Sequence, residues 1–314
     1  MRIFVKSLVC LSVSVNMFSS DFVTLGTGAI SGTYFPTGKY ICKFVNKYKN
    51  DTKIRCSVEA TKGSISNINS VSNEELDFAI VQSDILYNAA NGYKSFKNKK
   101  QIKIKSIMAI YPELFTLVSS KNSNIKTIMD IKGKKINIGS PGSGNEVTSL
   151  EMLKILNLKI SDLKPSRLDS IEMADALKDN KIDAYFYMVG HPASNIQYAS
   201  NSIDVKIIPI EGALIDKLIS KNPYFVKSFI PGGLYKGNKH NINTFGVKAV
   251  LVANNSISNH VVYNFVKAIF ENFDEFKTLH PSYKNITKKS LLEGISAPLH
   301  EGAKQYYKEI GLIK

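Results

Sequence analysis

Residues 23–38 read VTLGTGAISGTYFPTG, with an apolar run before the glycines and a helical pattern after them. Glycines between a strand and a helix let the backbone approach a ligand closely, and the free N–H groups at a helix N-terminus attract an anion. A second stretch of this kind, GSPGSGN, occupies residues 139–145. Because ligands of open parallel sheets bind beyond the carboxyl ends of the strands, the two loops predict a shared anion site.

Strand-like and helix-like segments alternate along the chain, as is typical of α/β proteins with parallel sheets. The pattern predicts strands at 22–27, 52–60, 77–81, 134–140, 182–189 and 205–210. It predicts helices at 34–48, from Ser64, at 145–158, 171–180 and 258–273, and around 301–310. Longer strands near 102–120 and 244–254 bracket the middle of the chain. We therefore expect a two-strand hinge between lobe I (21–112 plus 251–314) and lobe II (113–250).

Composition excludes several classes of protein. The chain has 314 residues, of which 44% are hydrophobic and 21% charged, so it can bury a core and is not intrinsically disordered. Its formal net charge is +15, yet arginine occurs only at Arg2, Arg55 and Arg167. Nucleic-acid readers usually combine arginine with aromatic platforms or a recognisable motif, and neither is present. We therefore expect no nucleic-acid partner.

The N-terminus resembles a secretion signal. MRIFVK is short and basic, and LVCLSVSVNMF has the length of a signal-peptide core but is too short to span a membrane. Residues 1–20 are therefore predicted to be a cleaved signal peptide and the mature protein to be soluble in the periplasm. The alternative is a buried N-terminal strand.

Cysteine and histidine patterns give no metal site. Without the leader, Cys42 and Cys56 remain, and we expect two buried free thiols, with a disulfide between a helix and the following strand as the alternative. The five histidines lie far apart in the sequence, so no local metal-ligand spacing exists. No metal and no cofactor are predicted.

The first glycine loop does not fit a nucleotide-binding fingerprint. Its spacing, Gly26-x-Gly28-x-x-x-Gly32, is one residue longer than G-x-G-x-x-G, and Glu59 ends the next strand 31 residues after Gly28 rather than about 20. No G-K-[ST] triplet follows either loop, and Ser143 lacks the G-x-S-x-G setting of a hydrolase nucleophile. Glycines that merely form tight turns remain the plain alternative for either loop alone.

Five segments together resemble one protein family. They are GTGAISGTYFPTG (26–38), EATKGSISNINSVSNEELDFAIVQSD (59–84), IMAIYPELFTLV (107–118), IKGKKINIGSPGSGNE (131–146) and KIDAYFYMVGHPASNI (181–196). In this order they are similar to the TAXI family, the extracytoplasmic solute-binding proteins of TRAP transporters. The similarity covers nearly all of the mature chain.

The resemblance implies a two-lobed periplasmic-binding-protein fold of the Venus flytrap kind (type II-like). It implies a monomeric protein without enzymatic activity that closes on a small carboxylate, such as 2-oxoglutarate or glutamate, and delivers it to the TRAP membrane subunit. Two alternatives keep the same fold: a periplasmic partner of a membrane receptor, which senses the ligand, and an exported enzyme.

The candidate ligand-binding residues come from both predicted lobes: Thr27, Gly28, Ser31, Thr33, Tyr34, Ser64 and Gln82 from the first, and Ser140, Ser143, Gly144, Asn145, Tyr187 and Gly190 from the second. For Ser64, Gln82 and Tyr187 the alternatives are a helix cap, a loop residue that satisfies backbone groups, and a core residue. Glu113 and Asp183 match family positions but would repel an anion, so we interpret them as structural or hinge residues.

Two residues depart from the family pattern. Lys62 and Asn145 stand where the family often has glycine and threonine. None of the five motifs contains an arginine. Backbone amides and hydroxyls would therefore have to bind the carboxylate.

Overall fold

The computed structural model describes residues 21–314. The predicted signal peptide, residues 1–20, lies outside the described residues. Within the described part of the chain, no helix is long and apolar enough to cross a membrane.

The chain begins with three parallel strands and their helices. The elements are β1 (Asp21–Gly26), α1 (Tyr34–Lys47), the single turn α2 (Lys49–Thr52), β2 (Ile54–Glu59), α3 (Ser64–Ser72), β3 (Phe78–Gln82) and α4 (Ser83–Asn91). Helix α1 accepts Pro36 in its first turn, where its missing N–H costs no hydrogen bond. It buries Ile41, Phe44 and Val45, which lie three and four residues apart on one face.

A long strand leads into the second lobe, and another leads back. The elements of this part are β4 (Ile104–Ser120), β5 (Lys135–Asn137), α5 (Gly144–Ile155), β6 (Lys164–Ser166), α6 (Ser170–Lys178), β7 (Ala184–Val189), α7 (Ser194–Ser202), β8 (Val205–Ile208), α8 (Ala213–Lys221), β9 (Val226–Ile230) and β10 (Ile242–Asn254). The chain ends with α9 (Asn259–Glu271), α10 (Phe273–Thr278) and α11 (Glu301–Glu309).

The strands form one continuous sheet in the order β2-β1-β3-β10-β4-β7-β5-β6, with β8 paired to β4 and β9 paired to β10. Strands β1, β2 and β3 are parallel, as are β7, β5 and β6. Antiparallel β4 and β10 run through the middle, with register partners from Asn254↔Ile104 to Gly246↔Leu114. These two strands connect the lobes, and the predicted two-lobed α/β fold is confirmed.

The buried apolar residues separate at these two strands. Two clusters take their buried residues from 23–111 and 249–307, and two others take theirs from 114–247. Each side of the crossing strands therefore has its own core, which is what allows two parts of a chain to move as units.

Cys42 and Cys56 are joined by a disulfide between α1 and β2, with 5.0 Å between their Cα atoms. The expectation of free thiols is therefore wrong, and its alternative is correct. Helix α1 packs directly on the strand that follows it, so the two sulfur atoms come within bonding distance, which spacing in the sequence could not show.

Candidate functional site

A cavity of about 90 Å³ lies between the lobes, where the carboxyl ends of the parallel strands meet. Ten of the predicted residues line it: Gly28, Thr33, Tyr34, Ser64, Gln82, Ser140, Ser143, Gly144, Asn145 and Tyr187. The two glycine loops therefore face the same space from opposite lobes, as their shared chemistry predicted.

Three predicted residues do not line the cavity. Thr27 is buried behind the first loop, where its hydroxyl donates to the Glu59 carbonyl at 2.6 Å. The Ser31 hydroxyl lies 2.8 Å from that of Ser170, and Gly190 accepts a hydrogen bond from Thr33. The side chain of Thr27 fixes the loop to β2, while Ser31 and Gly190 hold one lobe against the other.

Sequence reasoning missed a further group of lining residues: Ala29, Gly32, Thr61, Lys62, Gly63, Glu113, Gly139, Asp169, Ser170, Met173, Met188 and Val189. Most of them neighbour a predicted residue on the same loop or strand. Asp169 and Ser170 lie at the start of α6, a helix N-terminus without a glycine loop before it. A search for the N-terminus of every predicted helix, glycine-rich or not, would have found these two residues, because a helix was predicted at 171–180.

The second glycine loop is held by its own side chains. Ser143 caps α5 by accepting from the Glu146 N–H at 3.1 Å, and its hydroxyl donates to the Ser140 carbonyl at 2.7 Å. Gly139 has a φ of +100°, and an added Cβ would lie 2.5 Å from Nδ2 of Asn145. Only glycine fits there.

Asn145 attaches the start of α5 to strand β7. Its Nδ2 donates to the Phe186 carbonyl, and its Oδ1 accepts from the Met188 N–H, both at 2.9 Å. Because these side-chain groups are occupied, the donors that α5 offers the cavity are its first backbone N–H groups, which have no partner within the helix.

Ser64 and Gln82 lie together in the lobe I wall of the cavity, and Gln82 also contacts lobe II. The Ser64 hydroxyl accepts from the Gln82 N–H at 3.0 Å. The Gln82 side-chain amide donates to Asp84 at 3.1 Å in its own lobe and to Thr148 at 3.3 Å in the other. A Cβ on Gly144 would collide with Oε1 of Gln82, so the lobes are in close contact here.

Glu113 lies in the cavity at the point where β4 passes between the lobes. Its side chain is buried, with 3% exposed, and its Oε2 accepts from the Tyr34 hydroxyl at 2.8 Å. Burial raises the pKa of Glu113 to about 8, an effect that the Tyr34 hydrogen bond opposes and the nearby Asp84 reinforces. We interpreted Glu113 as structural or hinge; it is at the crossing strand and also part of the cavity wall.

The other charged groups of the wall are Lys62 and Asp169, both exposed at its edge. No arginine is among the described residues that line the cavity. Asp183 lies elsewhere, where its carboxylate accepts from the Lys135 N–H at 2.8 Å.

The groups that line the cavity are suited to binding a small polar molecule. The wall offers hydroxyls, amides, helix N-termini and one buried carboxyl group. Among residues 21–314, no group of three or more His, Cys, Asp or Glu is placed to hold a metal ion.

Comparison with known proteins finds one matching family and solved structures that share one fold. The model of the NMT1-like family matches residues 25–311. Among solved structures, a protein of Bordetella bronchiseptica superposes with a TM-score of 0.58 at 14% identity, covering 92% of this chain and 98% of that one.

Two further solved structures superpose in the same way. A putative L-cystine ABC transporter protein from Listeria monocytogenes gives a TM-score of 0.52 at 15% identity, covering 82% of this chain and 94% of that one. The alkanesulfonate-binding protein of Xanthomonas axonopodis pv. citri gives 0.51 at 12% identity, covering 94% and 96%. At these identities the likeness concerns the fold, which is that of solute-binding proteins.

Proposed function

The chain belongs to the NMT1-like family, and from this premise we propose that it is the extracytoplasmic solute-binding subunit of a TAXI-type TRAP transporter. The observation that carries the proposal is the polar cavity between two lobes, to which both glycine loops contribute. The five sequence motifs favour a TRAP transporter over the ABC-type importers named among the structural neighbours.

We propose that the ligand is a small carboxylate. Helices α1, α3 and α5 all begin at the cavity, at Tyr34, Ser64 and Gly144. Their first N–H groups and dipoles favour a negative group without any arginine. A water needs roughly 10–15 Å³ of such a cavity, so 90 Å³ suits a ligand of roughly ten non-hydrogen atoms or fewer. Glutamate and 2-oxoglutarate fit that size.

The proposed ligand-binding residues are the ten predicted ones that line the cavity, with Thr27, Ser31 and Gly190 shaping the loops around it. The lobes would close by hinge motion at β4 and β10. The core clusters support a division close to the proposed boundaries, 112/113 and 250/251. Export by a cleaved signal peptide, a periplasmic location and a monomeric state complete the proposal.

Isothermal titration calorimetry tests the ligand class. The mature chain is unfolded and refolded to remove any bound ligand, and folding is checked by circular dichroism. It is then titrated with glutamate, glutamine, 2-oxoglutarate and short dicarboxylates. We expect saturable binding with one site per chain for at least one of them. A correctly folded chain that binds none of these compounds would contradict the proposal.

A further inference from the structure

The buried carboxyl group of Glu113 is unusual in a cavity that receives an anion. Its Oε2 has a partner, the Tyr34 hydroxyl, while no described residue donates to Oε1. Lys62 is the cationic side chain among the described residues that line the cavity, and it is exposed at the cavity edge. Arg167 forms an ion pair with Glu146 at 2.7 Å. A dianion in the cavity would therefore face an acidic group without a compensating cation.

Glu113 is also close to the proposed carboxylate site. Tyr34, whose hydroxyl contacts Glu113, also lines the cavity, where burial raises its pKa, an effect opposed by the neighbouring Ser64 hydroxyl. An added Cβ on Gly144, at the start of α5, would lie 3.0 Å from that same hydroxyl. Tyr34 and Ser64 therefore lie between the carboxyl group of Glu113 and the N-terminus of α5, and all of them line the same cavity.

We infer that Glu113 is the ammonium site of the cavity, so that the ligand is an amino acid rather than a keto acid or plain dicarboxylate. The ammonium would donate to Glu113, while the neighbouring carboxylate would accept from the first N–H groups of α5 and α3. An α-amino acid carries both groups on one carbon, which suits two binding sites this close together. The inference rests on the proposed function and narrows its ligand class.

The inference gives binding a pH dependence with a definite sign. Glu113 has a pKa of about 8 without a ligand, so it is mostly protonated at pH 7 and must lose its proton to accept an ammonium. Affinity for an amino acid therefore rises several-fold between pH 7 and pH 9, and binding at pH 7 releases most of one proton per ligand. An anion without an amine would prefer protonated Glu113 and would weaken over the same range.

Glu113 is the group that titrates in that window among those packed around it. The facing groups are Tyr34 on α1, Asp84 on α4, Tyr111 on β4 and Tyr187 on β7. Burial raises the pKa of Tyr187 to about 12 and those of Tyr34 and Tyr111 well above their usual range, so all three stay neutral. The pKa of Asp84 is raised to about 6, below the window.

The test uses matched ligands that differ only at one carbon: L-glutamate, 2-oxoglutarate and glutarate, together with L-glutamine and L-leucine and their des-amino analogues. Calorimetry in two buffers of different ionisation enthalpy gives both the dissociation constant and the number of protons released. We expect the wild type to bind at least one amino acid roughly 30-fold or more tightly than its des-amino analogue, since a buried charge pair loses that much when one partner is removed.

Two variants locate the effect. Glu113→Gln should reduce the preference for the amino acid to about threefold or less and abolish proton release at pH 7, because its amide cannot ionise. Tyr34→Phe removes the hydrogen bond that lowers the pKa of Glu113, so it should move the midpoint of the pH profile upward. Tyr34→Phe also serves if Glu113→Gln does not fold.

Equal or tighter binding of 2-oxoglutarate or glutarate than of glutamate, with no amino acid preferred, would overturn the inference and leave the carboxylate proposal standing. An amino-acid affinity that falls from pH 7 to pH 9 would overturn it too. A folded, ligand-free chain that binds none of the compounds would overturn the inference together with the proposed function.

Discussion

The proposed closure of the lobes requires that Gly144 carry no side chain. A Cβ there would collide with Oε1 of Gln82 and lie 2.5 Å from its Cδ, about 0.9 Å short of ordinary contact at 3.4 Å. In Gly144→Ala, Gln82 must therefore move. Its amide would lose the hydrogen bonds to Asp84 and Thr148, each worth about 0.5–1.5 kcal/mol. The closed form should lose about 2 kcal/mol.

This loss should appear in ligand affinity. Gly144 and Gln82 belong to different lobes, so the collision exists only when the lobes are closed. A penalty of about 2 kcal/mol on the closed form weakens binding about 30-fold. Calorimetry with whichever ligand the wild type binds measures the dissociation constant directly.

A double-mutant cycle supplies the matched control. Gln82→Ala removes the colliding atoms, so adding Gly144→Ala to that variant should weaken binding by less than about threefold. The two substitutions should therefore be strongly non-additive. If Gly144→Ala alone binds within threefold of wild type, or if the two effects simply add, the steric account of closure is wrong.

Three further predictions concern the scaffold. The double substitution Cys42→Ser/Cys56→Ser removes a disulfide that spans 14 residues, and the free energy of unfolding should fall by about 3 kcal/mol in urea titration; an unchanged midpoint would contradict a bonded pair. Asn145→Ala leaves the Phe186 carbonyl and the Met188 N–H without partners, so the thermal midpoint should fall with a loss of about 2–4 kcal/mol, whereas Asn201→Ala, a control at an exposed position of α7, should cost under about 1 kcal/mol. Asp84 has a pKa of about 6 in the folded chain against 3.8 ordinarily, so the folded state holds its proton more tightly and the Asp84 contribution to stability falls as pH rises from 4 to 6, by on the order of 2 kcal/mol. Comparing urea midpoints of wild type and Asp84→Asn across that range isolates the effect, and parallel curves would show that Asp84 does not titrate there.

Much of the fold could be predicted because its pattern is local. Residues 134–158 combine an apolar strand, a glycine turn and a helix with apolar i, i+3, i+4 spacing, and the structure has β5 and α5 there. The helices α2, α4, α7, α8 and α10 were missed, as were β6 and β9. Helix α4 follows β3 without any turn residue, since Gln82 ends the strand and Ser83 begins the helix. Strand β6 is only three residues long, too short for a period to be seen.

The site was harder to predict because its details depend on register and burial. Thr27 looked like a ligand donor beside Gly28, but pairing of β1 with β2 places its hydroxyl on Glu59. Glu113 was judged by its charge alone, and only the fold shows that it is buried against Tyr34 in the cavity. The charge state of a side chain and the direction in which it points depend on its neighbours in the fold, and sequence spacing does not reveal these neighbours.

Native mass spectrometry of the chain, purified from its native cells without denaturation, tests the central claim most directly. We predict a one-to-one complex that releases a single small compound of roughly ten non-hydrogen atoms or fewer with a carboxyl group. Fragmentation of the released compound should also show a primary amine, if Glu113 binds an ammonium. A chain that carries no such compound, and to which none of the tested carboxylates adds a stoichiometric mass, would contradict the account.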